Sequence, residues 1–268
     1  MALLGLVGEA GTLLSEYKKR MRDGEAHRGF QSQVGEELGD ILWYVANIAT
    51  KCGASLSNIA TRNLSKTRGR WLPPEAPAPL LDEDQASGSQ LPREFELTFV
   101  YRDVQGVRRV VVVDASGETI GDSLTDNAYI DDGYRFHDVL HLAFAAGLGW
   151  SPVFRKLLRK KGKVGQRSPA VIDEVEDGGR AQVIEEGIAA AIYEYAARHD
   201  FMNVARVDWD LLRVAKRLTS HLEVSRRSEA EWERAILMAF DVWRKIRDAD
   251  GGRIRGDLRT QRLEFVPT

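Results

Sequence analysis

Glu36-Glu37-Leu38-Gly39-Asp40-Ile41-Leu42-Trp43-Tyr44-Val45-Ala46-Asn47-Ile48-Ala49 is the stretch that decides how this chain reads. Leu38, Ile41, Leu42, Val45, Ile48 and Ala49 recur at helical spacing, and Glu37, Asp40, Tyr44 and Asn47 fall on one edge of that face. Three residues apart, Glu37 and Asp40 set two carboxylates about 4.5 Å apart along the helix axis. Towards the N-terminus, Leu3, Leu6, Val7, Ala10, Leu13, Leu14 and Tyr17 form a second apolar stripe, with Glu9 and Glu16 on its edge. Glu9 opens an E-x-x-E spacing whose partner position is Thr12. Facing acidic helices can hold a hard divalent cation through oxygen donors, which directs the reading to phosphate chemistry. The residues alone fit a solvated helix rim equally well.

The order GLVGEAG (Gly5–Gly11), EELGDILWYVANIA (Glu36–Ala49) and LSNIATRNLSKTRGRW (Leu56–Trp71) resembles the MazG and dCTP pyrophosphatase branch of the all-α NTP pyrophosphatases. This resemblance covers about residues 3–71. It implies Mg²⁺-dependent cleavage, with Mn²⁺ as a substitute, of a nucleoside triphosphate to monophosphate and pyrophosphate. By position, it implies Glu9, Glu37 and Asp40 as metal ligands, and Asn63 and Lys66 beside the nucleotide or its phosphates. Thr12 stands where the family has a fourth carboxylate, and Glu16 lies one turn beyond it. Glu36 and Glu37 are the candidate catalytic carboxylates, with Glu36 as a base for the attacking water. Family members usually carry a helix before the first one read here, so a trimmed or mis-started chain, or one completed by a partner subunit, is expected.

The organisation expected is mainly α: a MazG-like helical bundle over 1–71, a Pro-rich linker over 72–92, and an α+β accessory domain over 93–268. Five of the eight prolines fall in the linker. Alternation from Phe95 to Tyr101, then Arg108 to Asp114 after Gly106, predicts a β-hairpin. Helices are predicted from Tyr134 to Leu148, Val153 to Lys161, Asp173 to Arg198, Val207 to Glu223 and Ser228 to Asp248. A helical fragment of about 70 residues buries little core, so the first domain is expected to pair with a second copy or with the rest of the chain.

Composition narrows the partners. A net charge of −2 gives no general attraction to nucleic acid or anionic membrane. Cys52, the one cysteine, excludes an intrachain disulfide and fits a reducing cytoplasm, the expected location. The apolar start lacks a basic n-region and meets Glu9 at once, unlike a signal peptide or membrane span. No Walker loop, Rossmann fingerprint or Gly-x-Ser-x-Gly elbow occurs.

A second cluster stands further along. His137, Asp138 and His141 form H-D-x-x-H, a spacing that suits zinc but lacks an identifiable third ligand, so hydrogen-bonded core histidines are the plainer reading. Glu174, Asp177 and Glu185 project onto the same stripe as Ile188, Ile192 and Tyr195, where a carboxylate needs a cation or an ion-pair partner. Arg180 and Arg135 are candidate partners, and Glu186 is expected to point away into solvent. The seven basic residues from Arg155 to Arg167 read as a solvated helix end, with phosphate contact as the alternative. Three functional readings follow: an NTP pyrophosphohydrolase, a catalytically weakened nucleotide-binding or regulatory module, and a metal hydrolase centred on His137 and His141.

Overall fold

In the computed structural model, residues 2–71, 77–85, 87–159, 176, 178–198 and 204–267 are described. The chain divides into two compact units, Met1–Arg68 and Gly69–Thr268.

The N-terminal unit holds α1 (Ala2–Asp23), α2 (Phe30–Lys51) and α3 (Leu56–Trp71). A single turn of 3₁₀-helix, Gly24–Ala26, joins α1 to α2, with Gly24 in the left-handed region that glycine adopts at little cost. Tyr17 packs edge-on against Phe30, their rings 5.1 Å apart. Further along, Gly5 lies so close to Tyr44 that a Cβ there would meet its ring. Residue numbers therefore rise on one helix as they fall on the other: the helices are antiparallel, and Glu9 lies opposite Glu37. Burial here is slight. Among the described residues of this unit only Glu16 and Ala49 are buried, while Leu4, Val7, Leu42 and Trp43 are 59–74% exposed.

The C-terminal unit corrects the expected fold class. In place of a hairpin among helices it carries a five-stranded antiparallel sheet, so the architecture is α+β with helices in the majority. The strands are β1 (Glu94–Val104), β2 (Val107–Asp114), β3 (Thr119–Leu124), β4 (Gly252–Asp257) and β5 (Arg262–Val266), in the order β3-β2-β1-β4-β5. The predicted hairpin is β1–β2. It turns through Gln105 and Gly106, both at positive φ, whose twist suits a two-residue connection. Three further strands escaped the sequence reading for a physical reason. At five or six residues each they are short, and β4 and β5 alternate with arginine, glutamate and glycine in place of a clear apolar rhythm.

Helices cover this sheet: α4 (Asp138–Leu148), α5 (Pro152–Arg159), α6 (Gly179–Arg198), α7 (Trp209–Leu218) and α8 (Glu229–Asp248). α4 is buried on every side from Val139 to Leu148, which only a helix enclosed by neighbours can be. It packs against α8, where Gly147 lets the backbones approach: a Cβ there would stand 3.0 Å from that of Ala235. α8 begins with a capping box in which the Ser228 hydroxyl accepts from the Glu231 N–H and the Glu231 carboxylate accepts from Ser228 N. Its Trp232, Ile236, Phe240, Trp243 and Ile246 fill the core beside Leu97, Phe99, Val112, Ile254 and Leu263.

The Pro-rich stretch is tied to this unit where it is described. Leu80 and Leu81 pack against the core, and buried Asp82 accepts from Leu91 N (2.7 Å) and Arg93 Nη1 (2.6 Å). Buried Arg227 donates to Pro79 O (2.7 Å) and, at the end of α4, to Leu148 O (2.8 Å). Residues 72–76 and 86 of that stretch lie outside the described residues.

Candidate functional site

Two groups of side chains carry chemistry, one in each unit. In the N-terminal unit Glu37 on α2 meets Glu9 on α1. Burial, the Glu9 carboxylate, and then Asp40 and Glu36 all raise the Glu37 pKa above the ordinary carboxylate value. Its Oε2 is buried without a hydrogen-bond partner. Asp40 contributes field here without converging into one compact three-ligand set with Glu9 and Glu37. Thr12, exposed, gives its hydroxyl to Gly8 O (3.3 Å) on its own helix. Glu16 is taken up by Lys19 (2.5 Å) and His27 (2.9 Å), which with its burial closes it to a cation. Asn63 is exposed on α3, and the side chain of Lys66 lies outside the described residues.

The C-terminal group is built around the start of α4. Buried Asp126 accepts from the backbone N–H of Asp132 (2.9 Å), Gly133 (3.0 Å) and Arg135 (2.8 Å), and from Arg135 Nη1 (2.7 Å). Arg135 Nε donates to Tyr101 Oη (3.0 Å), which donates to Asp250 (2.6 Å). This network fixes the loop that turns at Gly133, passes one 3₁₀ turn (Tyr134–Phe136) and delivers His137 to the N-cap position of α4. From α6, Tyr193 Oη donates to Asp132 O (2.8 Å) and pins the same loop.

His137, Asp138 and His141 then face one point, their ligand atoms within 4.8 Å of one another. His137 stacks on Tyr134, and its Nδ1 is 2.8 Å from Tyr134 O. A carbonyl only accepts, so Nδ1 carries the proton and Nε2 is left towards Asp138 Oδ1, 3.5 Å away. His141 is 1% exposed. Its Nδ1 meets Glu185 Oε1 at 2.8 Å, and that fully buried carboxylate also accepts from Ser151 Oγ (2.6 Å) and from Val153 N (2.7 Å) at the start of α5. Burial alone would lower the His141 pKa, but the Glu185 and Glu186 carboxylates overcome it and push it up to about 10.

The structure thus brings Glu185 to the histidines; Glu174 and Asp177 lie outside the described residues. Arg135 pairs with Asp126 and Asp131, not with Glu185. Glu186 corrects its sequence reading: half exposed, it still sets Oε2 3.3 Å from His141 Nε2. One helical position, 100°, separates it from Glu185, so it flanks the buried stripe and does not oppose it. Asp126 and Tyr134 carried no motif, being backbone organisers legible only in three dimensions. Of the basic run, Arg155 is buried against Asp82 (3.3 Å), Lys156 is exposed, and residues 160–167 lie outside the described residues.

Residues 76–268, more than half of the chain, match the MazG C-terminal domain, and the chain belongs to that family. It is also similar to the Gene 37 protein of Mycobacterium phage L5, 41% identical over 69 residues. That match takes in 25% of this chain and 60% of the length of the phage protein. No solved structure matches. Among the described residues no helix is long and apolar enough to cross a membrane.

Proposed function

We propose that the N-terminal unit is a nucleoside triphosphate pyrophosphohydrolase that cleaves an NTP or dNTP to the monophosphate and pyrophosphate. The observation that carries this reading is the Glu9–Glu37 contact, with Glu37 Oε2 buried and unpartnered and its carboxyl tuned upward by three acidic neighbours. Carboxylates crowded in this way relieve their repulsion by taking a proton or a cation, and an all-oxygen donor set fits Mg²⁺ or Mn²⁺. Glu9 and Glu37 would hold the ion directly and Asp40 would add its charge beside them, and the ion would neutralise charge on the triphosphate. Glu36, exposed on α2 beside them, takes the proton from a water attacking the α-phosphorus as the bond to the bridging oxygen breaks and pyrophosphate leaves. Asn63 and Lys66 on α3 contact the nucleotide. Membership in the MazG C-terminal domain family supports a nucleotide-processing setting.

A screen of all NTPs and dNTPs with Mg²⁺ or Mn²⁺ tests this, reading monophosphate and pyrophosphate together. Equimolar release is expected, and Glu37→Gln should lower it on the order of 100-fold or more with unchanged helical circular dichroism. Orthophosphate as the product, or full turnover in Glu37→Gln, would reject the assignment. One observation favours a second reading, a nucleotide-binding module with weakened catalysis: Thr12 and Glu16 are both engaged elsewhere, so neither adds a metal ligand to the site. Saturable nucleotide binding without turnover in the same screen would select it.

The unit also needs a covering partner, because Leu4, Val7, Leu42 and Trp43 leave more apolar surface in water than a self-contained monomer does. A second copy of this chain is the occupant proposed, and a cytoplasmic location is proposed with it. Sedimentation should show a dimer or larger for the native chain, and Val7→Glu with Leu42→Glu should return it to monomer. A native monomer at tens of micromolar would overturn the pairing.

A further inference from the structure

We propose that the C-terminal unit binds one transition-metal dication of the zinc class through His137, Asp138, His141 and Glu186, a site separate from the magnesium chemistry of the N-terminal unit. The argument starts with orientation. Each imidazole is anchored at Nδ1 by an acceptor, Tyr134 O for His137 and Glu185 for His141, so each offers Nε2 to the same point. A metal-bound imidazole characteristically has its other nitrogen hydrogen-bonded to a carbonyl or carboxylate, which fixes the ring and raises its basicity.

The anchors are themselves rigid. Glu185 is held by Ser151 and by the Val153 N–H, and Tyr134 stands on the loop that Asp126 gathers. An independent observation points the same way. His141 Nε2 lies in a side chain 99% removed from solvent, is aimed into the cluster, and makes no well-formed hydrogen bond there, the Glu186 carboxylate approaching it at 3.3 Å as an ion-pair partner. A buried nitrogen held so loosely favours a cation that takes its lone pair, the Nε2 proton being released to solvent as the metal binds.

Two imidazole nitrogens and two carboxylates form a borderline donor set that suits zinc, cobalt or iron over magnesium or calcium. The sequence spacing alone lacked a further ligand, and Glu186 on α6, whose Oε2 lies 3.3 Å from His141 Nε2, is the carboxylate placed to become one as the ion binds. Because all four side chains belong to α4, its N-cap and α6, the ion would clasp the buried helix to its neighbour.

The test uses the full chain in a Cys52→Ser background, so that the exposed thiol contributes no metal binding. After chelator treatment, Co²⁺ and then Zn²⁺ are titrated while visible absorption, calorimetry and thermal melting are followed. One equivalent of Zn²⁺ should bind, displace Co²⁺, resist millimolar Mg²⁺ and raise the melting temperature. Glu186→Gln and His137→Gln should each weaken Zn²⁺ binding by about 10–100-fold while leaving the metal-free circular dichroism unchanged, with Glu186→Gln lowering the metal-free melt only by what its ion pair with His141 contributes. Binding must persist in Glu37→Gln, which separates this site from the proposed nucleotide site. No Zn²⁺ binding, affinity unaltered in both variants, or equal competition by Mg²⁺ would overturn the proposal.

Discussion

Asp126→Ala is expected to destabilise the C-terminal unit by about 3–5 kcal/mol, the scale for breaking a buried charge pair from one side. The carboxylate accepts three backbone N–H groups and the Arg135 guanidinium, and its side chain is almost fully enclosed. Alanine would leave those donors without acceptors in a loop that water reaches poorly. Denaturant melts followed by tryptophan fluorescence report it, since Trp243 packs against Gly133 in the same loop. Acid supplies an orthogonal check. Burial raises the Asp126 pKa, but the Gly133, Arg135 and Asp132 N–H groups and the Arg135 charge outweigh it, so the folded value lies below the unfolded one. Its stabilisation is therefore present above the unfolded pKa of about 3.9 and is lost as pH falls through the lower folded value. The variant should lose part of the native acid dependence below about pH 4. A cost under about 1 kcal/mol would mean the loop is held by other contacts.

Glu185→Ala should cost a comparable 3–5 kcal/mol in metal-free protein, by a different route. It strips the acceptor from His141 Nδ1, from the Ser151 hydroxyl and from the N–H that opens α5, all at once and all buried. Glu185→Gln keeps the shape and one acceptor, so a smaller loss is expected. Equal losses in the two variants would show that charge, and not hydrogen-bond acceptance, holds the cluster together. Differential scanning calorimetry of both, against the native chain, gives the comparison.

What the sequence made legible followed from periodicity. The long helices announced themselves through stripes such as Trp232, Ile236, Phe240 and Trp243, and β1–β2 through alternation around Gly106. The sheet as a whole did not, because β3, β4 and β5 are short and are specified by partners distant in the chain. Glu185 stood out as a carboxylate on an apolar stripe, and the structure supplies the imidazole that answers it. Helical projection sends Glu186 into solvent because it sees direction along one helix but not the His141 ring of the neighbouring one. Tyr134 acts through its backbone carbonyl, a contribution that no residue type encodes.

The pairing of β1 with β4 also bears on how the protein is made. As the chain leaves the ribosome, β1 finds β2 almost immediately, yet its opposite edge waits for Arg255 to come within reach of Glu96, 159 residues later. At ordinary rates of synthesis that wait is on the order of ten seconds. Throughout it, the middle of the future sheet is a strand with a bare edge, bearing Leu97 and Phe99 that are destined for burial. The centre of this sheet thus closes late, and the interval before β4 emerges is when a nascent chain would most need a chaperone to shield it.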